Sequence, residues 1–325
     1  MTILGGIDIG GTKCAVIVGL RRGDEIDVIG KRRFPTPTSA DETLDLACIA
    51  LADLLHAQPH EALGAIGISC GGPLDSRAGL VLSPPNLPGW DRVDVLTPFR
   101  SRFDVPVALQ NDANACALAE WRWGAGRGCR NVVFLTFGTG MGAGLILEGR
   151  LYSGTNDLAG EVGHMRLESD GPIGYGKAGS FEGFCSGGGI ADLARSLAAE
   201  RLSSGSRVAY CASFEDLPAV TAEGVARAAD QGDETALEVF DIVAHQLGRG
   251  LAILVDVLNP QRIVIGSIYA RQRGRLEARM LDSLRAEALP GALSVCDVVP
   301  AGLGEAVGDL ASLSVALEAT RIHEP

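Results

Sequence analysis

Asp8-Ile9-Gly10-Gly11-Thr12-Lys13, and midway along the chain Phe137-Gly138-Thr139-Gly140-Met141-Gly142-Ala143-Gly144, decide how the rest of the sequence reads. Each stretch follows an apolar, strand-like run and leads into another, so each reads as a β-hairpin with a glycine-rich turn. Gly10 and Gly11 let the backbone approach phosphate oxygens with no Cβ in the way. Thr12 offers a hydroxyl, Lys13 a charge, and Asp8 just ahead has the oxygen chemistry to hold Mg²⁺ through water. Taken alone, this is also an ordinary hairpin turn. The second stretch, with Gly138, Thr139, Gly140, Gly142 and Gly144, holds more glycine than hairpin closure needs. Glycine weakens a strand, so a close ligand approach is the better account. Two such turns suggest a clamp on a polyphosphate, and so an ATP-using enzyme.

The chain has 325 residues, enough for two domains and a large core. Only 5% are aromatic, so packing rests on Ala, Leu, Val and Ile, and the 43 glycines fall in clusters that fit turns and ligand loops rather than a linker. The net charge of -12 argues against nucleic acid as a partner, which needs a basic footprint. Eight scattered cysteines without a CxxC pair read as buried, reduced thiols. Asp8 interrupts the first apolar run, and no run approaches bilayer-spanning length, so neither a leader nor membrane association is expected. The expected location is the cytoplasm.

Along the chain, residues 3–20 read as strand, turn, strand, with 26–34 a third strand of the same sheet. Residues 41–57 show helical spacing after Thr38 and Ser39 as cap candidates. Ala65–Ser69 is a short buried strand, Ser83–Trp90 a loop, and Pro106–Gln110 a strand ending at Asn111-Asp112, before a small-residue helix over 113–121. The second half repeats the theme with a strand at Val132–Thr136, the second glycine turn, and a strand at Gly144–Leu147. Helices are expected near 188–201, 221–229, 233–257 and 305–321, with a late buried strand at Ile263–Ile265. Alternating strands and helices make an α/β fold. The repeated hairpin start suggests two related domains with ligand in the cleft between them, divided as residues 1–112 and 113–304.

Asn111-Asp112 sits at a strand end, where α/β proteins place catalytic groups. An aspartate there can accept a proton from a hydroxyl attacking phosphorus, and Asn111 can hold a neighbouring hydroxyl. By themselves the two also fit a helix N-cap. Glu161 and His164, three apart, can aim at one polyol, and Glu182 adds an acceptor. Each alone also fits a surface polar residue, or for His164 a core histidine.

Together these segments resemble the ROK family of sugar kinases, within the actin-like ATPase superfamily (a ribonuclease H-like fold), over nearly the full chain. DIGGTK at 8–13 resembles the first phosphate motif and Phe137–Gly144 the second. Asn111–Ala115 resembles the catalytic segment, with Asp112 as general base. Gly160–Met165 resembles the sugar-binding GExGH segment, and Glu182 with Ser186-Gly187 the later sugar-binding glutamate. Leu258–Gly266 resembles the strand entering the nucleotide site, which adds Gly266 to the nucleotide contacts. The resemblance implies ATP and Mg²⁺ as cofactors, a dimer or tetramer, and a C-terminal helix, about 305–325, that completes the first domain. Gly72 and Asn86 are expected to complete a sugar pocket formed by Asn111, Asp112, Glu161, His164 and Glu182. Glucose is the first expectation and an N-acetylhexosamine such as N-acetylglucosamine or N-acetylmannosamine the next. A sugar sensor without catalysis, or an ATPase of the same fold with a non-sugar acceptor, is the alternative. A repressor of the family is disfavoured, since only seven residues precede Asp8.

Two departures from the family pattern stand out. Where the family has a CxCGxxGCxE zinc segment, this chain has Ile173, Tyr175 and Ser180. A structural zinc wants four ligands, so no zinc is expected. His164 then needs another partner to fix its tautomer, and Tyr175 or Ser180 is the expected supplier. Gly266-Ser267 stands where consecutive glycines are common, and Asp309 falls in a terminal segment that is usually small and apolar.

Overall fold

Strands in the middle of a sheet must be apolar on both faces, and the continuous buried runs of this chain fall where that holds. A computed structural model describes residues 1–58 and 61–322. β1 (Thr2–Ile9), β2 (Lys13–Arg22) and β3 (Glu25–Pro35) form an antiparallel meander whose first turn is the glycine stretch. α1 (Ala40–His56) begins at Ser39, whose hydroxyl accepts the Glu42 N–H. β4 (Leu63–Cys70) runs parallel to β1. A small separate sheet of β5 (Leu74–Asp75), β6 (Leu80–Leu82) and β7 (Asp91–Asp94) follows, then α2 (Thr97–Phe103) and β8 (Val107–Asn111), parallel to β4. The order is β3-β2-β1-β4-β8. α3 (Asp112–Trp123) leaves directly from β8.

The chain continues through β9 (Val132–Leu135), β10 (Ala143–Leu147) and β11 (Arg150–Leu151) to a two-strand hairpin, β12 (Ile173–Gly174) and β13 (Lys177–Ala178). Then come α4 (Phe181–Phe184), α5 (Gly187–Ser203), α6 (Ala222–Asp230), α7 (Glu234–Leu258), β14 (Arg262–Ile265), α8 (Ile268–Glu287), α9 (Pro290–Leu293), β15 (Asp297–Pro300) and α10 (Val307–Ile322). β14 lies between β9 and β15, parallel to both. None of the described helices is long and apolar enough to cross a membrane.

Two compact units result. The first comprises Met1–Arg130, Gly144–Ala159 and the chain from Gly302 on; the second comprises Asn131–Ala143 and Gly160–Ala301. The division expected at Asp112 is therefore displaced. α3 stays with the first unit because it packs against α10, where the Ser314 hydroxyl donates to Ala115 O at 3.1 Å, while the fully buried Ala117 faces Gly144 of β10. α10 in turn lies on β1 and β4. Its approach is close enough that a Cβ on Gly6 would stand 2.4 Å from Ser312 Oγ, and one on Gly67 2.1 Å from the Ala316 N. Glycine is the only residue that fits at either position. Leu313 is fully buried there against Leu4, Ile17 and Ala65, a contribution of about 1.5–3 kcal/mol.

Candidate active site

In the first unit, the β1–β2 turn is closed by the Gly10 N–H donating to Lys13 O at 3.2 Å. The Thr36 hydroxyl donates to Gly10 O at 2.5 Å, so β3 holds the turn from behind. A Cβ on Gly11 would lie 2.3 Å from Asn86 O, which seats the 83–90 loop on the turn. A Cβ on Gly71 would lie 3.4 Å from both side-chain polar atoms of Asn86, and one on Gly72 3.1 Å from Asn111 Nδ2. Gly11, Gly72, Asn86 and Asn111 thus gather at one place. Thr12 and Lys13 are exposed at its rim.

Asn111 and Asp112 take up the helix-start role open to them in the sequence. Asn111 is the N-cap of α3, its Oδ1 accepting the Ala113 N–H at 2.9 Å, while its amide nitrogen faces Gly72. Asp112 is the first helical residue and accepts the same N–H at 2.8 Å. Asp112 is exposed as a residue, yet the protein around its carboxyl pushes its pKa above the ordinary carboxylate range, against the pull of that backbone bond. Burial first, then the carboxylates of Asp112 and Asp309, push Asp8 up to about 6, with Lys31 and Lys13 opposing. Lys31 on β3 pairs with Asp309 in the first turn of α10. An acidic residue at that helix start is also favoured by the helix dipole.

In the second unit, the 136–143 turn is tightly cross-bonded. Thr136 N–H donates to Gly142 O at 3.0 Å, Gly142 N–H returns to the Thr136 hydroxyl at 2.9 Å, and Gly138 N–H reaches Gly140 O at 3.1 Å. Glu182 joins the turn: its Oε2 accepts the Met141 N–H at 3.0 Å and would be 2.8 Å from a Cβ on Gly140. Glycine at 140 therefore makes room for a carboxylate as well as for any ligand. Glu161 and His164 bracket a short 3₁₀ turn, with the His164 N–H donating to Glu161 O at 3.2 Å. Gly266 N–H donates to Leu135 O at 3.0 Å, which places the 266–267 corner beside the second glycine turn. A cavity of ≈ 610 Å³ opens there, lined by Gly138, Thr139, Ser267 and Arg271, and by the apolar Ile190 and Phe240.

The segment at 172–182 is organised without cysteine. Tyr175 (φ 49) and Gly176 (φ 76) make a two-residue turn of the I′ kind, which matches strand twist and closes β12 onto β13. Ser180 does not supply the expected partner for His164. Its hydroxyl caps α4, accepting the Gly183 N–H at 3.0 Å, and donates to Gly174 O at 3.3 Å. Tyr175 does meet His164, but ring edge to ring face, with centroids 4.9 Å apart. Lys177 adds a bond the sequence did not suggest, its Nζ donating to His164 O at 2.6 Å. Among the described residues, no group of three or more His, Cys, Asp or Glu side chains is placed to hold a metal ion.

Sequence reasoning missed α8 and with it Arg271 as a cavity residue; Ser267, singled out in the sequence beside Gly266, stands just ahead of that helix. The helical signal was present in Tyr269, Leu276, Met280 and Leu284, all buried, but five arginines on the same helix obscured it.

Hairpin turns rich in glycine, each in its own α/β unit, and a carboxyl of raised pKa where β8 meets α3 fit phosphoryl transfer to a hydroxyl. The molecule is a sugar kinase with the actin-like ATPase fold. It belongs to the ROK family, whose sequence model matches residues 4–318. A glucokinase of Halalkalibacterium halodurans is 31% identical over 311 residues, covering 93% of this chain and 91% of the relative. An N-acetylmannosamine kinase of Escherichia fergusonii is 32% identical over 273 residues, covering 83% of this chain and 84% of the relative. The ROK family glucokinase of Streptomyces griseus, solved in complex with glucose and AMPPNP, superposes with a TM-score of 0.72 at 29% identity, covering 98% and 99% of the two chains.

Proposed function

We propose that this enzyme transfers the γ-phosphoryl of Mg-ATP to a hydroxyl of an aldohexose, with glucose the first choice and an N-acetylhexosamine the next. The observation that carries the reading is Asp112. It stands at a strand end, where a general base can meet a hydroxyl, and burial pushes its carboxyl above the ordinary carboxylate range. Asp112 orients and deprotonates the attacking hydroxyl. Asn86 and Asn111 in the first unit, beside Gly72, and Glu161, His164 and Glu182 in the second have the donors and acceptors to read a hydroxyl pattern. The backbone of Gly10, Gly11, Thr12 and Lys13, and that of Gly138, Thr139 and Gly140 with Gly266, suits the phosphates of ATP. Asp8 is the residue to hold magnesium through water, and the ion would supply charge neutralisation at the phosphates. The relatives named glucokinase and N-acetylmannosamine kinase support a hexose or N-acetylhexosamine acceptor.

The test is an ADP-release assay with Mg-ATP against glucose, N-acetylglucosamine, N-acetylmannosamine, mannose, fructose and allose. One sugar should turn over, and Asp112→Ala should lower kcat by about 10²–10⁴-fold. No turnover with any sugar, alongside sugar binding by calorimetry, would identify a sensor and end the kinase reading.

A further inference from the structure

The cavity beside the second glycine turn carries a cation that the sequence motifs do not account for. α8 bears five arginines, and four have carboxylate partners: Arg273 with Glu277, Arg275 with Asp230, Arg279 with Asp241, and Arg285 with Asp282. Among the described residues, Arg271 has none; its one hydrogen bond is from Nη2 to the Ser267 hydroxyl at 3.3 Å. Both residues are exposed, and both line the cavity with Gly138 and Thr139. Ser267 Oγ would be 3.6 Å from a Cβ on Gly138, so the hydroxyl that aims the guanidinium stands against the phosphate turn itself. Ser267 holds this place at a cost, with φ 54 and ψ −111, a region suited to glycine and strained for any side chain. A guanidinium with no carboxylate partner among the described residues, beside this glycine turn, has the chemistry to bind phosphate oxygens in a fork.

We propose that Arg271, aimed by Ser267, is a phosphate-binding determinant for the nucleotide donor in this cavity. This rests on the kinase reading above. It adds a cation to the backbone cradle and explains why a strained serine stands at position 267.

Calorimetry with MgADP, together with KM for ATP and for the sugar, tests it. Arg271→Met should weaken ADP binding and raise KM for ATP by about 10–100-fold, the scale of losing a charged hydrogen-bonding group, while KM for the sugar stays within about 2-fold. Ser267→Gly should raise Tm by about 1–4 °C through relief of strain and yet weaken ADP binding. Ser267→Ala should weaken it equally with no gain in Tm. A purely structural serine would not give opposite signs for stability and affinity. Wild-type affinity for ADP in Arg271→Met overturns the proposal and leaves the kinase reading standing. Wild-type protein that binds neither ADP nor ATP overturns the kinase reading and, with it, this proposal.

Discussion

Asp8 is half-buried near Asp112 and Asp309, and its carboxyl is pushed from 3.8 up to about 6, by burial first and then by those two carboxylates. The sign of the consequence follows from linkage. The folded chain binds this proton more tightly than the unfolded chain, so the stability it gives is full below about pH 4 and is lost as pH rises through 6. A shift of this size corresponds to about 3 kcal/mol at neutral pH. Asp8→Asn should therefore stabilise the magnesium-free protein by up to about 3 kcal/mol at pH 7.5 and change little at pH 4. Urea unfolding at the two pH values, with chelator present, measures the difference; equal effects at both would mean the carboxyl is not perturbed. The same substitution should depress kcat, since the charge that costs stability is the one proposed to meet magnesium. His164 offers a second residue-scale test. Tyr175 meets it ring against ring in a T-shaped contact, so Tyr175→Phe should leave KM for the sugar within about 2-fold, while Tyr175→Ala raises it. Equal damage from Phe and Ala would assign the role to the hydroxyl instead.

At the scale of elements, the hairpin β12–β13 is held by its own turn and by bonds to its neighbours. Its turn depends on Gly176, whose φ of 76 any side chain would resist even though a Cβ there meets nothing within 4 Å. Gly176→Ala should thus cost about 1–2 kcal/mol by backbone strain alone. Because Lys177 ties this hairpin to His164 O, Lys177→Met should raise KM for the sugar and leave KM for ATP unchanged. A rise in both would point to general loosening. The local elements were legible in the sequence because each signal was local: glycine turns between apolar runs, Asn111-Asp112 at a strand end, Ser39 before a helical period. What was not legible was tertiary. The hydroxyl of Ser180 could face His164 or the start of α4, and only the packing of Gly174 and Gly183 around it selects the cap. α8 was hidden because its burial follows one narrow stripe while its arginines find partners on α6 and α7, far away in sequence. The position of α3 in the first unit depends on α10, nearly two hundred residues later.

For the molecule as a whole, Glu120 is the buried charge that most constrains the chain path. It is fully buried in α3, and its carboxylate accepts three backbone N–H groups, from Ala125 at 2.8 Å, Gly302 at 3.0 Å and Leu303 at 2.9 Å. Gly302 is where the chain returns to the first unit. In Glu120→Gln, the amide group would confront N–H donors where an oxygen now accepts, at a cost of about 2–4 kcal/mol in urea unfolding. A loss below about 0.5 kcal/mol would mean the turn rearranges freely around it.

α10 has one more consequence, in the order of events on the ribosome. The strands β1 and β4 are among the first made, yet the face they offer through Gly6 and Gly67 is covered by residues 307–322. Chains grow from the N-terminus at about 5–20 residues per second. For the time needed to synthesise most of the polypeptide, then, the earliest sheet waits with an apolar surface bare. The second unit, whose long stretch Gly160–Ala301 is continuous, has its own helices in hand before that wait ends. The half of the enzyme that is born first is finished last, and a nascent chain stalled short of Leu313 would present that uncovered sheet to chaperones and proteases.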